Sequence, residues 1–307
     1  MTANIDVTVI TASFNLIKNN RKNKIINCIE TVHQQEGVNL EHIIIDGAST
    51  DGTLDLLKPY EEKGWLKIYS EPDAGIYDAF NKGILKAHGE YVCFINSDDF
   101  FYNNKGLAEA VRILHKSQAD FSYSPVSYEK GGKIVSNDSK TLDFRTVFCA
   151  MPCSHQGMLF KRSLYDRIGL HNPKFIICAD YDFILRSILN KATFVKVPVD
   201  YAGFSLDGLS GSHFDQLNSE SIAIKQERYG CSLEQVLQIH NKRQMPLILL
   251  MRLLFKASIP DKHRYLFYWK NYAYFKTFRR WLFTLRTRKG MRCLRIIGIT
   301  LINEEKQ

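Results

Sequence analysis

Residues 91–99 read Tyr-Val-Cys-Phe-Ile-Asn-Ser-Asp-Asp, an apolar run that stops at two adjacent carboxylates. A continuous apolar run fits a strand covered on both faces, as in a parallel sheet. An unpaired carboxylate costs too much to bury, so Asp98 and Asp99 mark where the strand meets water, metal or substrate. In open α/β sheets that carboxyl end is where ligands bind. Adjacent hard oxygen donors suit Mg2+ or Mn2+, ions that commonly arrive with a phosphate. Taken alone, the same residues also read as a polar turn with one Asp capping the next helix.

The preceding residues repeat the pattern. Strand-like runs fall at 7–11, 42–46, 66–70 and 91–95. Between them, 23–35 carries apolar residues at 25, 26, 29 and 32, the stripe of an amphipathic helix. Residues 53–60 are read as a helix that Pro59 ends, and 76–87 as a helix followed by Gly89 as its cap. Beyond Asp99 the pattern loosens to a helix at 107–116, a strand at 121–126 and a hairpin turn at Gly131-Gly132. A helix at 180–189, a strand at 192–197 and a mobile loop at 203–212 complete the reading. Strands alternating with helices predict an α/β fold with a mostly parallel sheet.

Charge divides the chain. The net charge of +9 averages residues 241–307, with 16 Lys and Arg against three acids (+13), and residues 1–240, with 25 bases and 29 acids (−4). A boundary is placed at 240 on this shift, and charge so segregated signals a partner for the tail. Seven cysteines, an odd count with several inside apolar stretches, read as free thiols in a reducing cytoplasm. Cys149 and Cys153 lack a second pair at zinc spacing. The short polar start reads as neither a signal peptide nor a spanning helix.

A parallel sheet brings four polar strand ends to one edge: 11–15, 46–53, 71–75 and 96–99. Each alone is ordinary turn chemistry, but four converging form a site-like pattern. No Gly-x-Gly-x-x-Gly and no Gly-Lys-Ser/Thr loop follows strand one, which argues against a dinucleotide oxidoreductase and a P-loop NTPase. An Asp after strand two and a carboxylate pair after strand four suit a nucleotide diphosphate with a divalent ion.

These motifs resemble family 2 glycosyltransferases of the GT-A fold. Asp46-Gly47-Ala48-Ser49-Thr50-Asp51-Gly52-Thr53 is similar to that family's Asp-Gly-Ser loop, and residues 71–83 to a subgroup that builds bacterial exopolysaccharide and O-antigen. Asn96-Ser97-Asp98-Asp99 resembles its DXD motif, and Cys178-Ala179-Asp180-Tyr181-Asp182 the motif that supplies its catalytic base. The resemblance covers roughly residues 5–210 and implies a GT-A domain over 1–240, Rossmann-like, with a basic, aromatic helical extension over 241–307.

The resemblance also implies roles. Thr11, Ser13 and Asn15 border the nucleotide, Asp46 accepts from its base, and Asp73, Asn81 and Lys82 line the pocket. Asn96 and Asp98 serve the ribose, and Asp98 and Asp99 hold Mg2+ or Mn2+, with the division between them open because Asn96 stands where many members have Asp. Asp180 is the general base, with an N-cap role competing, and Asp182 is structural. His155 is placed on the acceptor side, although a histidine beside an apolar run is more often a core residue.

Residues 265–283 interleave ten aromatics with Lys270, Lys276, Arg279 and Arg280, which suits the headgroup layer of an anionic membrane. Packing of those rings on the main domain is the competing reading. The expectation is an inverting, metal-dependent transferase using a nucleotide diphosphosugar, with uridine as the favoured nucleoside. Its acceptor would be a glycan or lipid-linked chain for cell-surface polysaccharide, reached from the cytoplasmic membrane face, with no nucleic acid as partner. The alternatives are a non-catalytic nucleic-acid or anionic-surface binding protein acting through the tail, and a sugar-phosphate nucleotidylyltransferase, whose Gly-rich basic first loop is missing.

Overall fold

The computed structural model describes residues 5–131, 133–137, 147–206, 214–242 and 246–257, and the backbone of 283–288, 291–296 and 299–303. In chain order the elements begin β1 (Val7–Ser13), α1 (Lys22–His33), β2 (Leu40–Asp46), α2 (Thr53–Glu62), β3 (Lys67–Ser70), α3 (Ile76–Lys86) and β4 (Tyr91–Phe94). There follow β5 (Phe100–Phe101), α4 (Gly106–Ser117), β6 (Phe121–Tyr123), β7 (Val126–Lys130), β8 (Lys133–Asn137), β9 (Met158–Lys161), α5 (Arg162–Ile168) and α6 (Ala179–Leu189). The remainder are β10 (Phe194–Lys196), β11 (Ala202–Ser205), α7 (Phe214–Tyr229), α8 (Leu233–Lys242), α9 (Leu247–Lys256), β12 (Phe283–Arg288), β13 (Met291–Ile296) and β14 (Ile299–Asn303).

The main sheet has seven strands in the order β10-β6-β9-β4-β1-β2-β3. Strands β4, β1, β2 and β3 are mutually parallel, and β9 runs antiparallel between β4 and β6. The strand period of two divides the core into two faces. Val7 and Val9 of β1 pack with Ile25, Ile29 and Val32 of α1 and with Leu107 and Leu114 of α4. Ile10 points the other way, into a layer with Phe80 and Ile84 of α3 and Phe94, Phe160 and Phe183. Full burial of each such side chain contributes about 2 kcal/mol. Gly83 sets how closely α3 approaches β1, because a Cβ there would lie 2.5 Å from Ile10 Cγ2.

The parallel register aligns the polar strand ends. Ser13 of β1 stands opposite Asp46 of β2, which stands opposite Ser70 of β3. A smaller sheet, β5-β11-β7-β8, covers the neighbouring edge and brings Ser205 of β11 over the end of β4.

Several expectations change. Helix α2 runs through Pro59 to Glu62 because proline removes a single amide. Its last turn is held by Trp65 N donating to Tyr60 O (3.0 Å) and Ile68 N donating to Glu61 Oε1 (2.8 Å). The strand expected at 121–126 breaks at Pro125 into β6 and β7, which belong to different sheets. Residues 203–205, expected in a loop, pair in β11, and 207–213 lie outside the described residues. Leu249, Leu250, Leu253 and Leu254 of α9 join the main core, so that part of the basic tail packs on the α/β body. β12, β13 and β14 form an antiparallel sheet where helix was expected, and the aromatic residues at 265–282 lie outside the described residues. The six cysteines whose side chains are described are free thiols. Among the described residues no helix is long and apolar enough to cross a membrane.

Candidate active site

The loop after β2 is knitted to the loop after β1. Asp46 is fully buried, and its Oδ1 accepts from the hydroxyls of Ser13 (2.9 Å) and Ser49 (2.6 Å). Its Oδ2 accepts from Ser49 N (2.8 Å) and Ser70 Oγ (2.8 Å). Asn15, at φ +46°, donates its backbone N–H to Ser49 Oγ (2.8 Å) and accepts at Oδ1 from Thr50 N (3.0 Å). Gly47 leaves room for a second carboxylate, since a Cβ there would lie 2.7 Å from Asp73 Oδ2. Burial pushes the Asp73 carboxyl above its ordinary value, against the opposing hydrogen bond from Gly75 N.

Three residues expected in this pocket are engaged elsewhere. Thr11 sits inside β1 on the α1 side, fully buried, with Oγ1 3.0 Å from His42 Nε2. It shares the strand face of Ser13 but lies two residues short of the edge, under α1, with Oγ1 3.9 Å from Cys28 Sγ. The Asn81 amide pairs with the backbone of His171, donating to its O (2.8 Å) and accepting from its N (2.9 Å). Lys82 lies on the surface, donating to Pro72 O (2.5 Å) and 3.4 Å from Asp78 Oδ2.

At the end of β4 the two carboxylates separate in role. Asp99 is 1 % exposed and turned inward, accepting from Ser205 N (2.9 Å), Gln156 Nε2 (2.8 Å) and Asn96 Nδ2 (2.9 Å). Burial, reinforced by the charge of Asp98, pushes its carboxyl up to about 6. Three hydrogen bonds take up most of its acceptor capacity, so Asp99 organises the end of β4. Asp98 Oδ2 lies 3.1 Å from Arg21 Nη1 as an ion pair without hydrogen-bond alignment. Asn96 Oδ1 and Asp98 Oδ2 are buried oxygens that accept no hydrogen bond. Two such oxygens fit a hard divalent cation whose remaining ligands come from a phosphate and water. Among the described residues no three His, Cys, Asp or Glu side chains form a self-sufficient metal cage.

Asp180 lies in the first turn of α6 and does not cap it. The amides ahead of that helix are instead taken by Glu220 of α7, whose carboxylate accepts from Ile176 N (3.0 Å), Ile177 N (2.9 Å) and Cys178 N (2.9 Å). Asp180 Oδ2 is 3.1 Å from His155 Nδ1, and Oδ1 accepts from Tyr181 N (2.7 Å). Burial pushes this carboxyl up, but the His155 hydrogen bond and field, with the Tyr181 amide, outweigh it and hold Asp180 below its ordinary value. It is therefore ionised at neutral pH, as a proton acceptor must be. Asp182 is structural as expected, bridging Arg186 Nε (2.8 Å) and Arg228 Nε (2.5 Å) with no exposure of its own.

The carboxyl edge of the sheet thus gathers Asp46, Asp73, Asp98 and Asp99, and the His155–Gly157 turn links Asp99 to Asp180 on α6. A sequence model described as glycosyl transferase family 2 matches residues 8–185, more than half of the chain. The chain belongs to glycosyl transferase family 2. This transferase is 29% identical over 201 residues to a PGL/p-HBAD biosynthesis glycosyltransferase of Mycobacterium bovis, covering 62% of this chain and 75% of that one. It is 32% identical over 139 residues to the putative teichuronic acid biosynthesis glycosyltransferase TuaG of Bacillus subtilis, covering 45% and 50% of the two chains. Among solved structures, S. aureus TarS residues 1–349 in complex with UDP-GlcNAc superposes with a TM-score of 0.60 at 15% identity, covering 99% of this chain and 100% of that one. The mannosyltransferase PcManGT from Pyrobaculum calidifontis, with GDP-Man and Mn2+, gives a TM-score of 0.54 at 20% identity, covering 91% and 84%. The transferase thus has the GT-A fold, and family membership favours an enzyme over a purely anion-binding protein.

Sequence reasoning missed Arg21, Gln156, Ser205 and Glu220. Each acts across a long sequence separation, and none carries a local signal beyond its polarity.

Proposed function

We propose that this transferase moves a sugar from a nucleotide diphosphate donor, uridine being the favoured nucleoside, onto a hydroxyl of a glycan or lipid-linked acceptor in cell-surface polysaccharide synthesis. The observation that carries the reading is a pair of differently held carboxylates, one at the end of β4 and one on α6. Asp98 keeps an oxygen without a hydrogen bond, and Asp180 is held ionised by His155. The biosynthetic names of the relatives and the UDP-GlcNAc and GDP-Man complexes of the structural neighbours support the donor and product classes.

Asp46 and Asp73 bind the nucleoside end. A base N–H reaches Asp46 by displacing one serine hydroxyl, a group that rotates at little cost. Asn96 Oδ1 and Asp98 Oδ2 would hold Mg2+ or Mn2+. A bound divalent ion offsets the charge that gathers on the departing diphosphate. Asp180 takes the proton of the acceptor hydroxyl as its oxygen bonds to the anomeric carbon. The bond from that carbon to the diphosphate breaks on the opposite side, so configuration inverts. Thermal stabilisation by nucleotide diphosphosugars with and without Mn2+ tests this reading. A metal-dependent shift with one of the UDP-, GDP- or dTDP-sugars supports it, and no shift with any of them overturns it.

A surface on α9 supports work at an anionic membrane. Ile248 and Phe255 are 86% and 87% exposed and Met251 is 47% exposed, on the side opposite the leucines that enter the core. The sequence beyond is strongly basic, which favours an anionic lipid surface over a second copy of an equally basic chain. Flotation with vesicles containing phosphatidylglycerol should carry the protein upward, less so in high salt and less so for Phe255→Glu. Equal flotation of wild type and variant would contradict this.

A further inference from the structure

One short turn touches both halves of the site. The 3-10 turn His155–Gly157, just ahead of β9, is fixed to the end of β6 by Ser124 N donating to Gly157 O (2.8 Å). Gly157 allows that contact, since a Cβ there would lie 2.7 Å from Ser124 O. From this turn two consecutive side chains diverge. His155 Nδ1 meets Asp180 Oδ2 at 3.1 Å, and Gln156 Nε2 donates to Asp99 Oδ2 at 2.8 Å. Asp99 in turn accepts from Asn96, so two hydrogen bonds through Asp99 join Gln156 to Asn96.

We propose that His155 and Gln156 are paired positioning residues, which set the base carboxylate of α6 at a fixed place relative to the donor-binding end of β4. The inference rests on Asp180 being the base. Asp180, ionised, can only accept, so His155 Nδ1 carries the hydrogen between them. His155 Nε2 is buried and accepts or donates no hydrogen bond. This ring is oriented through its one bond to Asp180, and the carboxylate is oriented by the ring. Gln156 is fully buried and its Oε1 is likewise unpartnered, so its one hydrogen bond, to Asp99, fixes the amide.

The titratable groups facing Asp180 are Tyr77 of α3, His155 of the turn, His171 from the segment after α5, and Cys178 at the start of α6. His155 makes the largest contribution favouring the carboxylate. Its removal therefore has a sign: the Asp180 carboxyl rises, and the acid limb of the kcat/KM profile moves to higher pH.

The test uses the full chain with whichever donor stabilises it. His155→Ala should lower kcat by about a hundredfold with donor KM little changed, as a displaced base does, and should move the acid limb up by about one pH unit. His155→Asn, whose amide N–H can replace Nδ1–H, should restore part of kcat and most of the limb. Gln156→Leu should also lower kcat, and the double variant should lose less than the product of the two single losses, because both act through one turn. Asp180→Asn serves as the control: if it keeps turnover, the base assignment fails. If it loses turnover while His155→Ala and His155→Asn keep the wild-type acid limb, or while the His155 and Gln156 losses multiply independently, the positioning proposal is overturned.

Discussion

Asp180→Asn is expected to lower kcat by about three orders of magnitude while donor affinity stays within a few-fold, the scale of a lost general base. The substitution preserves shape and removes the proton acceptor. An asparagine Oδ1 can still accept from Tyr181 N, which lies 2.7 Å from the carboxylate, so the start of α6 keeps its local contact. The other side changes more: an amide Nδ2 would face His155 Nδ1, and two donors cannot bond unless the ring changes tautomer. The proposed donor end, with Asp46, Asp73 and Asp98 on the sheet edge, makes none of these contacts and has no reason to weaken. Steady-state kinetics separates the two effects. A loss confined to kcat supports the role of Asp180, whereas an unchanged kcat removes it from the mechanism.

Asp182→Ala, two residues away on the same helix, should instead cost stability. Asp182 is completely buried and holds two guanidinium groups, Arg186 at 2.8 Å and Arg228 at 2.5 Å, joining α6 to α7. Removing one partner of a buried ion pair costs about 3–5 kcal/mol, because the remaining charge is left without compensation. The low end applies here. Arg186 keeps the carbonyls of Ile168 and Leu170, both at 2.7 Å, and the arginine side chains are 15% and 25% exposed, so water reaches them. A loss of about 3 kcal/mol corresponds to a Tm lowered by roughly 6–12 °C. Thermal denaturation followed by circular dichroism measures it, and a Tm within a degree of wild type would show that the bridge contributes little.

These neighbours show what a sequence can reveal. Asp180 and Asp182 sit in one short motif and both are acidic, yet one faces His155 and the site while the other faces arginines from two helices. Helical spacing places them on different sides; only the fold decides what waits there. The alternating strands and helices were legible because period and apolar content are local, and the parallel register follows from them. Ser13 and Asp46 meet as the pattern implied, directly across β1 and β2. Thr11 has the parity of Ser13 but stands two residues short of the edge, covered by α1 and beside His42. Asn81 looked available in sequence but spends both ends of its amide on the His171 backbone. Arg21 was one cation in a basic stretch, and nothing local marks it as the partner of Asp98. Gln156 and Glu220 are polar side chains whose partners, Asp99 and the amides before α6, come from distant parts of the chain. Asp99, paired with Asp98 in sequence, also holds β11 and the His155–Gly157 turn in place, contacts that no local signal marks.

The central claim is that the carboxyl edge of the sheet binds a nucleotide diphosphosugar, with Asp98 at the phosphate end. Calorimetric titration of the wild type and Asp98→Ala with the same donor, in Mn2+ and in EDTA, tests it most directly. The account predicts donor binding by the wild type that weakens at least about tenfold in EDTA, as expected when a cation bridges carboxylate and phosphate, and an Asp98→Ala variant that binds weakly and equally in both. Equal, metal-insensitive donor binding by wild type and variant would contradict it.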